Sequence, residues 1–192
     1  MKVLFLSNNM NTSRLYEWLE KQCEVEWYDR KINLEKIDAD KPDLIISYNY
    51  KYMIEEDVIN RMDGNVINLH ISYLPWNKGS NPNFWSFVND TPKGVTIHKV
   101  NSKLDEGDVI FQKKIWMNPS DETFVTSYNK LHDAIVELFI ANWESIREKN
   151  YLMTPQTKAG SCHKQSDFEN LTKKYPISWE ENIQEYLNKL NK

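Results

Sequence analysis

The stretch VINLHISYLPWNKG, residues 66–79, predicts a buried strand that ends in a loop. Asn68 and His70 are two residues apart, so a strand here places both side chains on one face of a sheet. Pro75 and Gly79 then predict a loop, where a substrate can reach such a pair. This stretch therefore indicates a sheet that presents an amide and an imidazole at the end of a strand.

A second polar turn follows at LDEGD, residues 104–108, between two strand-like runs. The runs cover residues 94–100 and 109–116, and the short link between them predicts an antiparallel pair. Asp105 in this turn is placed to add a carboxylate to the amide and the imidazole. The range from Val66 to Ile110 thus contains the amide, the imidazole and the carboxylate of one candidate site.

Apolar runs before this range predict further strands of the same sheet. Residues 2–6 (KVLFL) and 44–48 (LIISY) are apolar without alternation, which is typical of strands buried on both faces of a parallel sheet. Residues 25–28 predict another short strand. Apolar spacing, together with charges and stop signals at the helix ends, predicts helices in five ranges: 12–23, 55–62, 83–88, 120–146 and 179–190.

These patterns predict an α/β fold with a Rossmann-like, mixed and mainly parallel sheet flanked by helices. One domain is expected over residues 1–150, followed by a short C-terminal extension over residues 151–192. The charged range 32–40 is predicted to be irregular surface, and residues 150–175 an extended tail. The extension is expected to pack on its own domain or on a second subunit. In the second case the protein is a homodimer.

The composition excludes several classes of protein. With 192 residues, 40% hydrophobic residues and 27% charged residues, the chain is expected to be globular, and a formal net charge of −4 argues against a nucleic-acid partner. No run approaches the roughly 18 apolar residues of a membrane span, and the first residues are too short an apolar run for a signal peptide. We therefore expect a cytoplasmic protein without a membrane partner.

The two cysteines are far apart and no CxxC or HxxxH spacing occurs, so no metal site is predicted.

Among the four histidines, His70 is the strongest candidate for chemistry, because it shares a strand face with Asn68 and precedes a loop. His98 lies on a core strand and is placed to support the site from behind. His132 falls within a long helix, where packing or surface roles are expected, and His163 lies in the tail.

An imidazole, an amide and a carboxylate without a neighbouring nucleophilic Ser or Cys indicate acyl transfer to a nucleophile that the substrate brings. The histidine can take the proton of that nucleophile, the asparagine can donate to a developing oxyanion, and the aspartate can orient the histidine. On residue types alone, a purely structural role for the same three side chains stays open.

The motifs together resemble the formyltransferases that use 10-formyltetrahydrofolate. The resemblance is carried by NLH (68–70), SYLP (72–75) with Gly79, GVTIH (94–98) and LDEGDVI (104–110). It covers about residues 1–150. This family includes glycinamide ribonucleotide formyltransferases, methionyl-tRNA formyltransferases and sugar N-formyltransferases. The resemblance, rather than periodicity, implies the formyl donor and the reaction.

The family's catalytic Asn, His and Asp correspond to Asn68, His70 and Asp105. The resemblance implies that a substrate amine attacks the formyl carbon and that the Asn and His positions hold the tetrahedral oxyanion. The Asp position is implied to tune the histidine and relay a proton to the departing nitrogen. The family's pterin slot, built largely from backbone groups, corresponds to five cofactor-binding positions: Tyr52, Met53, Ile54, Lys103 and Leu104.

The resemblance also bears on the acceptor. Methionyl-tRNA enzymes carry a further C-terminal domain and a basic surface, and this sequence matches neither. Glycinamide ribonucleotide enzymes have a Gly and Ser phosphate loop where this chain has SNNMN (7–11). The segments 74–86 and 160–164 look most like the sugar N-formyltransferases. The acceptor implied is a nucleotide-linked amino sugar, of the type dTDP-4-amino-4,6-dideoxyhexose. Five residues are candidates for contacts with it: Asn9, Asn11, Trp76, Asn77 and Lys78.

The alternatives are a purine-synthesis enzyme of the phosphoribosylglycinamide type, a non-catalytic folate or nucleotide binder, and a hydrolase that passes the formyl group to water. For each candidate acceptor contact, loop packing or a solvated charge is the competing interpretation. The sequence also leaves open which nucleotide is attached and which amino position is formylated.

Overall fold

A six-stranded sheet forms the framework of the protein in a computed structural model that describes residues 1–191. Its strands in chain order are β1 (Lys2–Leu6), β2 (Glu24–Tyr28), β3 (Leu44–Tyr48), β4 (Val66–His70), β6 (Gly94–Lys99) and β7 (Val109–Lys114). A separate two-stranded sheet pairs β5 (Lys78–Gly79) with β8 (Cys162–His163). In space the large sheet has the order β2-β1-β3-β4-β6-β7.

Eight α-helices accompany the strands within residues 1–191. They are α1 (Ser13–Leu19), α2 (Leu34–Asp40), α3 (Glu56–Arg61), α4 (Pro82–Val88), α5 (Phe124–Ala141), α6 (Trp143–Arg147), α7 (Gln165–Lys174) and α8 (Ile183–Leu190). None of the helices in the described part of the chain is both long and apolar enough to span a lipid bilayer.

The large sheet is parallel over β2, β1, β3 and β4 and antiparallel at its other edge. The parallel ladders include the pairs Phe5↔Ile46 and Ser47↔Asn68. The amide of Val100, just after β6, donates to the carbonyl of Val66 at the start of β4 (3.0 Å), so β6 runs opposite to β4. The hydrogen bond from the Lys99 amide to the Asp108 carbonyl (2.9 Å) closes the β6–β7 hairpin. The predicted mixed, mainly parallel sheet is confirmed.

Burial explains why the two apolar runs form central strands. Every residue of β3 is buried, and so is every residue of β1 after Lys2. Strands covered on both faces gain from apolar side chains at each position, because each face excludes water. The absence of alternation in these runs is thus a consequence of their central place in the sheet.

The chain divides into two compact units. The first consists of Met1–His70, Ile97–Ile110 and Tyr151–Pro155, and the second of Ile71–Thr96, Phe111–Asn150 and residues 156–191. The predicted division at residue 150 stays a prediction, since these units follow spatial proximity rather than chain order.

Two helices lie where the sequence predicted irregular or extended chain. Helix α2 lies within the charged range 32–40; the Asn33 side chain caps it by accepting from the Lys36 amide (3.0 Å), and Ile37 is buried. Helix α7 lies in the predicted extended tail. It has no buried residue, so the apolar spacing that reveals a helix is almost missing from its sequence.

The long helix predicted over residues 120–146 is divided in the structure. Helix α5 begins after the Thr123 cap, and Asn142 separates it from α6 with φ −113° and ψ 10°. His132 on α5 is buried beside the Tyr128 ring, with 4.2 Å between ring centroids. Loss of hydration on burial lowers the pKa of His132 to about 4, although the nearby Asp133 carboxylate acts in the opposite direction. His132 is therefore a packing residue.

We predict that Gly107→Ala destabilises the protein more than Gly64→Ala does. A Cβ at position 107 would lie 1.8 Å from the Lys99 carbonyl oxygen, whereas Gly64 has open space and only a left-handed φ of 69°. The backbone overlap at Gly107 is expected to cost about 2 to 3 kcal/mol, and the strain at Gly64 about 1 kcal/mol.

The measurement is the free energy of unfolding of each variant by urea titration. Equal losses, or a larger loss for Gly64→Ala, would show that the turn after β6 does not approach Lys99 as described.

Candidate active site

Strand β4 delivers two polar side chains to the same face of the sheet. Its residues Val66, Ile67 and Leu69 are buried and fix the strand between its neighbours, so the positions of Asn68 and His70 are determined by the pleat. His70, at the last position of the strand, is 8% exposed.

The turn after β6 brings Asp105 to this pair. Asp105 has a left-handed φ of 51°, and its carboxylate oxygens point at both β4 side chains. Oδ1 accepts a hydrogen bond from Asn68 Nδ2 (3.2 Å), and Oδ2 lies 3.6 Å from His70 Nε2. The aspartate side chain is only 9% exposed, so both contacts are largely shielded from water.

His98 of β6 completes the cluster. Its Nδ1 lies 2.7 Å from the Lys99 carbonyl oxygen, and its Nε2 lies 3.1 Å from Asn68 Nδ2. A carbonyl oxygen only accepts and an amide nitrogen only donates, so this geometry requires a proton on Nδ1 and a lone pair on Nε2. His98 is therefore held as the neutral Nδ1–H tautomer.

The Asn68 amide is the shared donor of the cluster. One of its two protons goes to His98 Nε2 and the other to Asp105 Oδ1. Asp105 in turn lies 3.6 Å from the Nε2 atoms of both histidines. The structure thus brings together all three residues predicted to be catalytic, and it adds His98, which the sequence placed only behind the site.

This arrangement can perform acid and base chemistry without a nucleophilic side chain. His70 can accept a proton, and the Asp105 carboxylate can stabilise the imidazolium that results. The Asn68 amide supplies a polarised N–H next to the same atoms. Among residues 1–191, no three His, Cys, Asp or Glu side chains form a group that could hold a metal ion.

The five residues predicted to bind the cofactor all belong to the first compact unit. Met53 and Leu104 expose 49% and 44% of their surfaces, which is high for apolar side chains. Ile54 is buried in the core, and the Tyr52 ring lies edge-on to Tyr50 at 5.3 Å. Lys103 is exposed. Their contacts with a pterin stay predictions.

Asn9 and Asn11 lie at the carboxyl end of β1. Asn9 caps a short 3₁₀ helix, Met10–Thr12, by accepting from the Asn11 amide (3.0 Å). Asn11 is exposed and Asn9 half-buried, and their predicted role in acceptor binding stays a prediction.

The other three predicted acceptor residues lie in the second compact unit. Trp76 and Lys78 are half-buried, but Asn77 has no exposed surface. Asn77 Nδ2 donates to Thr91 Oγ1 (2.7 Å), and its Oδ1 accepts from Ser161 Oγ (3.1 Å). The geometry gives no support to a contact between Asn77 and an acceptor; the side chain instead joins the loop to two other segments of the same unit.

We predict that His98 is the neutral Nδ1–H tautomer at neutral pH. Long-range proton–nitrogen NMR correlations of the protein labelled with ¹⁵N-histidine report which ring nitrogen carries the proton, and a His98→Gln variant assigns the signals. The expected spectrum shows a protonated Nδ1 and an unprotonated Nε2. A protonated Nε2 would contradict the hydrogen bond from Asn68 to His98.

Comparison with known proteins shows which proteins the chain is similar to. A family profile described as formyl transferase matches residues 17–142, which is more than half of the chain. The structure is similar to that of the formyltransferase PseJ from Anoxybacillus kamchatkensis, solved with UDP-4,6-dideoxy-4-formamido-L-AltNAc and tetrahydrofolate. Sequence identity is 39%, the TM-score is 0.88, and the match covers 97% of each chain.

Two further structures share the fold. A 4-N formyltransferase from Francisella tularensis matches with 22% identity and a TM-score of 0.78, over 88% of this chain and 78% of that one. HypX from Aquifex aeolicus, solved with tetrahydrofolic acid, matches with 26% identity and a TM-score of 0.71, over 86% of this chain and 30% of that one. The profile match over more than half of the chain and the 39% identity to PseJ lead to one conclusion: the chain belongs to the formyl transferase family.

Proposed function

We propose that this enzyme transfers the formyl group of 10-formyltetrahydrofolate to the amine of a nucleotide-linked amino sugar. The observation that carries the proposal is the Asp105 carboxylate, which contacts Asn68 and faces His70 in a shielded cluster. The similarity to PseJ supports the substrate class, because that structure holds a UDP-linked formamido sugar and tetrahydrofolate.

In the proposed mechanism His70 is the general base. As the sugar amine forms its bond to the formyl carbon, His70 takes a proton from the amine nitrogen, and the former carbonyl π electrons move to the formyl oxygen. Asp105, 3.6 Å away, stabilises the imidazolium with an attraction on the order of 4 kcal/mol at an effective dielectric constant of about 20. The proton then passes to the departing folate nitrogen when the old carbon–nitrogen bond breaks.

Asn68 is the proposed donor to the oxygen on which negative charge develops. Its two amide protons are directed at His98 and Asp105 in this conformation, so one of them must turn toward the substrate oxygen. The exchange replaces one hydrogen bond by another to an anion, which is the stronger kind. The proton that turns is the one on His98, a neutral acceptor, while the retained bond to Asp105 keeps the amide oriented.

For the folate, we propose a surface formed by the five residues of the first unit that the family resemblance of the sequence implies. Met53 and Leu104 offer exposed apolar side chains to the flat pterin, and we propose backbone groups of Tyr52, Ile54 and Lys103 as its hydrogen-bond partners. The Lys103 N–H already donates to Asn101 Oδ1 (3.0 Å), so its carbonyl is the group proposed there. Pterin recognition through backbone groups is independent of side-chain identity, which fits the varied chemistry of these five residues.

For the acceptor, we propose Trp76 and Lys78 as the residues that contact the nucleotide sugar, together with Asn9 and Asn11. A lysine ammonium pairs with a diphosphate, and an indole ring covers a sugar or a base. We do not extend this role to Asn77. Formylation at a 4-amino group is favoured because the sugar bound to PseJ is a 4-formamido compound. A dTDP carrier, a cytoplasmic location and a homodimer stay predictions.

The function is tested by an assay of the purified protein with 10-formyltetrahydrofolate and a panel of acceptors. The panel contains UDP- and dTDP-linked 4-amino and 3-amino sugars, with glycinamide ribonucleotide as the control. We expect transfer to a nucleotide-linked 4-amino sugar and none to glycinamide ribonucleotide. Transfer to glycinamide ribonucleotide alone would establish the purine-synthesis alternative, and release of formate without an acceptor would establish a hydrolase.

We predict that Asn68→Ala, His70→Ala and Asp105→Ala each lower kcat by about 10² to 10³ or more, the loss typical of removing one oxyanion or proton-transfer group. The matched control is Asn60→Ala, an exposed position on α3. Circular dichroism and the urea midpoint show whether each variant is folded. Folded variants with wild-type rates would remove these residues from the mechanism.

A further inference from the structure

We propose that Ser161 is a positioning residue that holds the loop of residues 75–80 in the conformation that binds the acceptor. The inference rests on the proposed function, because it concerns how Trp76 and Lys78 are presented to the nucleotide sugar. All the contacts that support it lie within the second compact unit.

The Ser161 hydroxyl bonds Asn77 twice. Oγ accepts the Asn77 backbone N–H (2.9 Å) and donates its own proton to Asn77 Oδ1 (3.1 Å). Asn77 adopts a left-handed φ of 55°, a conformation that asparagine tolerates better than most residues but that still needs support. One hydroxyl therefore satisfies the backbone and the side chain of the residue that turns the loop between Trp76 and Lys78.

The backbone on both sides of Ser161 continues the attachment. Its own amide donates to the Pro75 carbonyl (3.2 Å), and its carbonyl accepts from the Lys78 amide (2.9 Å). The Ser80 amide then donates to the His163 carbonyl (2.9 Å), which makes β5 and β8 a short parallel pair. The loop is thus fixed at its start, its turn and its end by residues that follow it in the chain by about eighty positions.

The segment that holds the loop is itself fixed at its far side. The His163 ring stacks on Trp85 of α4, with 4.2 Å between centroids and an interplanar angle of 9°. Asn89 Nδ2 lies 3.2 Å from His163 Nε2, and burial lowers the pKa of this histidine, so the neutral ring is favoured. Phe168 of α7 packs edge-on against Phe84 at 5.0 Å. The tail is therefore a fixed support for the loop.

The nearest competing explanation is that Ser161 only contributes to overall stability. A stability defect lowers the amount of folded enzyme and leaves the KM values of the folded fraction unchanged. Loss of positioning instead raises the KM for the acceptor, because binding must then order a mobile loop. The two explanations differ in the kinetic parameter that changes.

The test compares Ser161→Ala, Ser161→Thr and wild type, with Ser166→Ala on the exposed face of α7 as the matched control. Ser161→Ala removes both hydroxyl bonds and is expected to raise the acceptor KM about tenfold. The kcat and the KM for 10-formyltetrahydrofolate are expected to stay at the wild-type values. Ser161→Thr keeps the hydroxyl and is expected to restore the wild-type acceptor KM, and Ser166→Ala to change nothing.

Hydrogen–deuterium exchange provides a readout that does not depend on activity. In Ser161→Ala, the amides of residues 77–80 are expected to exchange faster, while peptides of β1 and β3 keep their protection. Unchanged exchange in the loop overturns the proposal even if the enzyme formylates no nucleotide sugar. So does an unchanged acceptor KM, an equal rise in the folate KM, or a failure of Ser161→Thr to restore the acceptor KM.

Discussion

The polar cluster of the first unit depends on one amide group. Asn68 Nδ2 has two protons, and His98 and Asp105 each accept one of them. Both acceptors can be placed only if β6 lies beside β4 and the turn after β6 folds back, which requires Gly107 to pass close to the Lys99 carbonyl. The same Lys99 carbonyl fixes the His98 tautomer. A few backbone constraints thus determine which side chains donate and which accept.

The residues that the sequence located correctly are those fixed by short-range rules. A two-residue spacing places Asn68 and His70 on one face, and a short link after an antiparallel strand returns Asp105 to them. The role of His98 could not be predicted in the same way, because it depends on a carbonyl whose direction only the folded turn determines. The burial of Asn77 was equally hidden, since the serine that binds its side chain lies 84 positions later. From the sequence alone, a polar residue in a glycine-containing loop cannot be distinguished from a ligand contact when its hydrogen-bond partner lies far along the chain.

The two compact units carry different parts of the proposed activity. The four polar side chains proposed to take part in the reaction, Asn68, His70, His98 and Asp105, belong to the first unit, and the loop proposed to bind the acceptor belongs to the second. Changes in the loop or in the tail that holds it can therefore alter the choice of acceptor without replacing a reacting group. The part of the tail from residue 156 onward, which is largely polar and was predicted to be extended up to residue 175, belongs to this second unit, and Ser161 and His163 support the loop through hydrogen bonds.

The central claim is that Asn68 and Asp105 act as a unit in formyl transfer. The most direct measurement is a double-mutant cycle on the single-turnover rate, with Asn68→Ala, Asp105→Ala and the double variant. If the two residues act together, the double variant loses little more than the more damaging single change. If the two losses multiply, each residue acts independently, and the hydrogen bond between them has no part in the reaction.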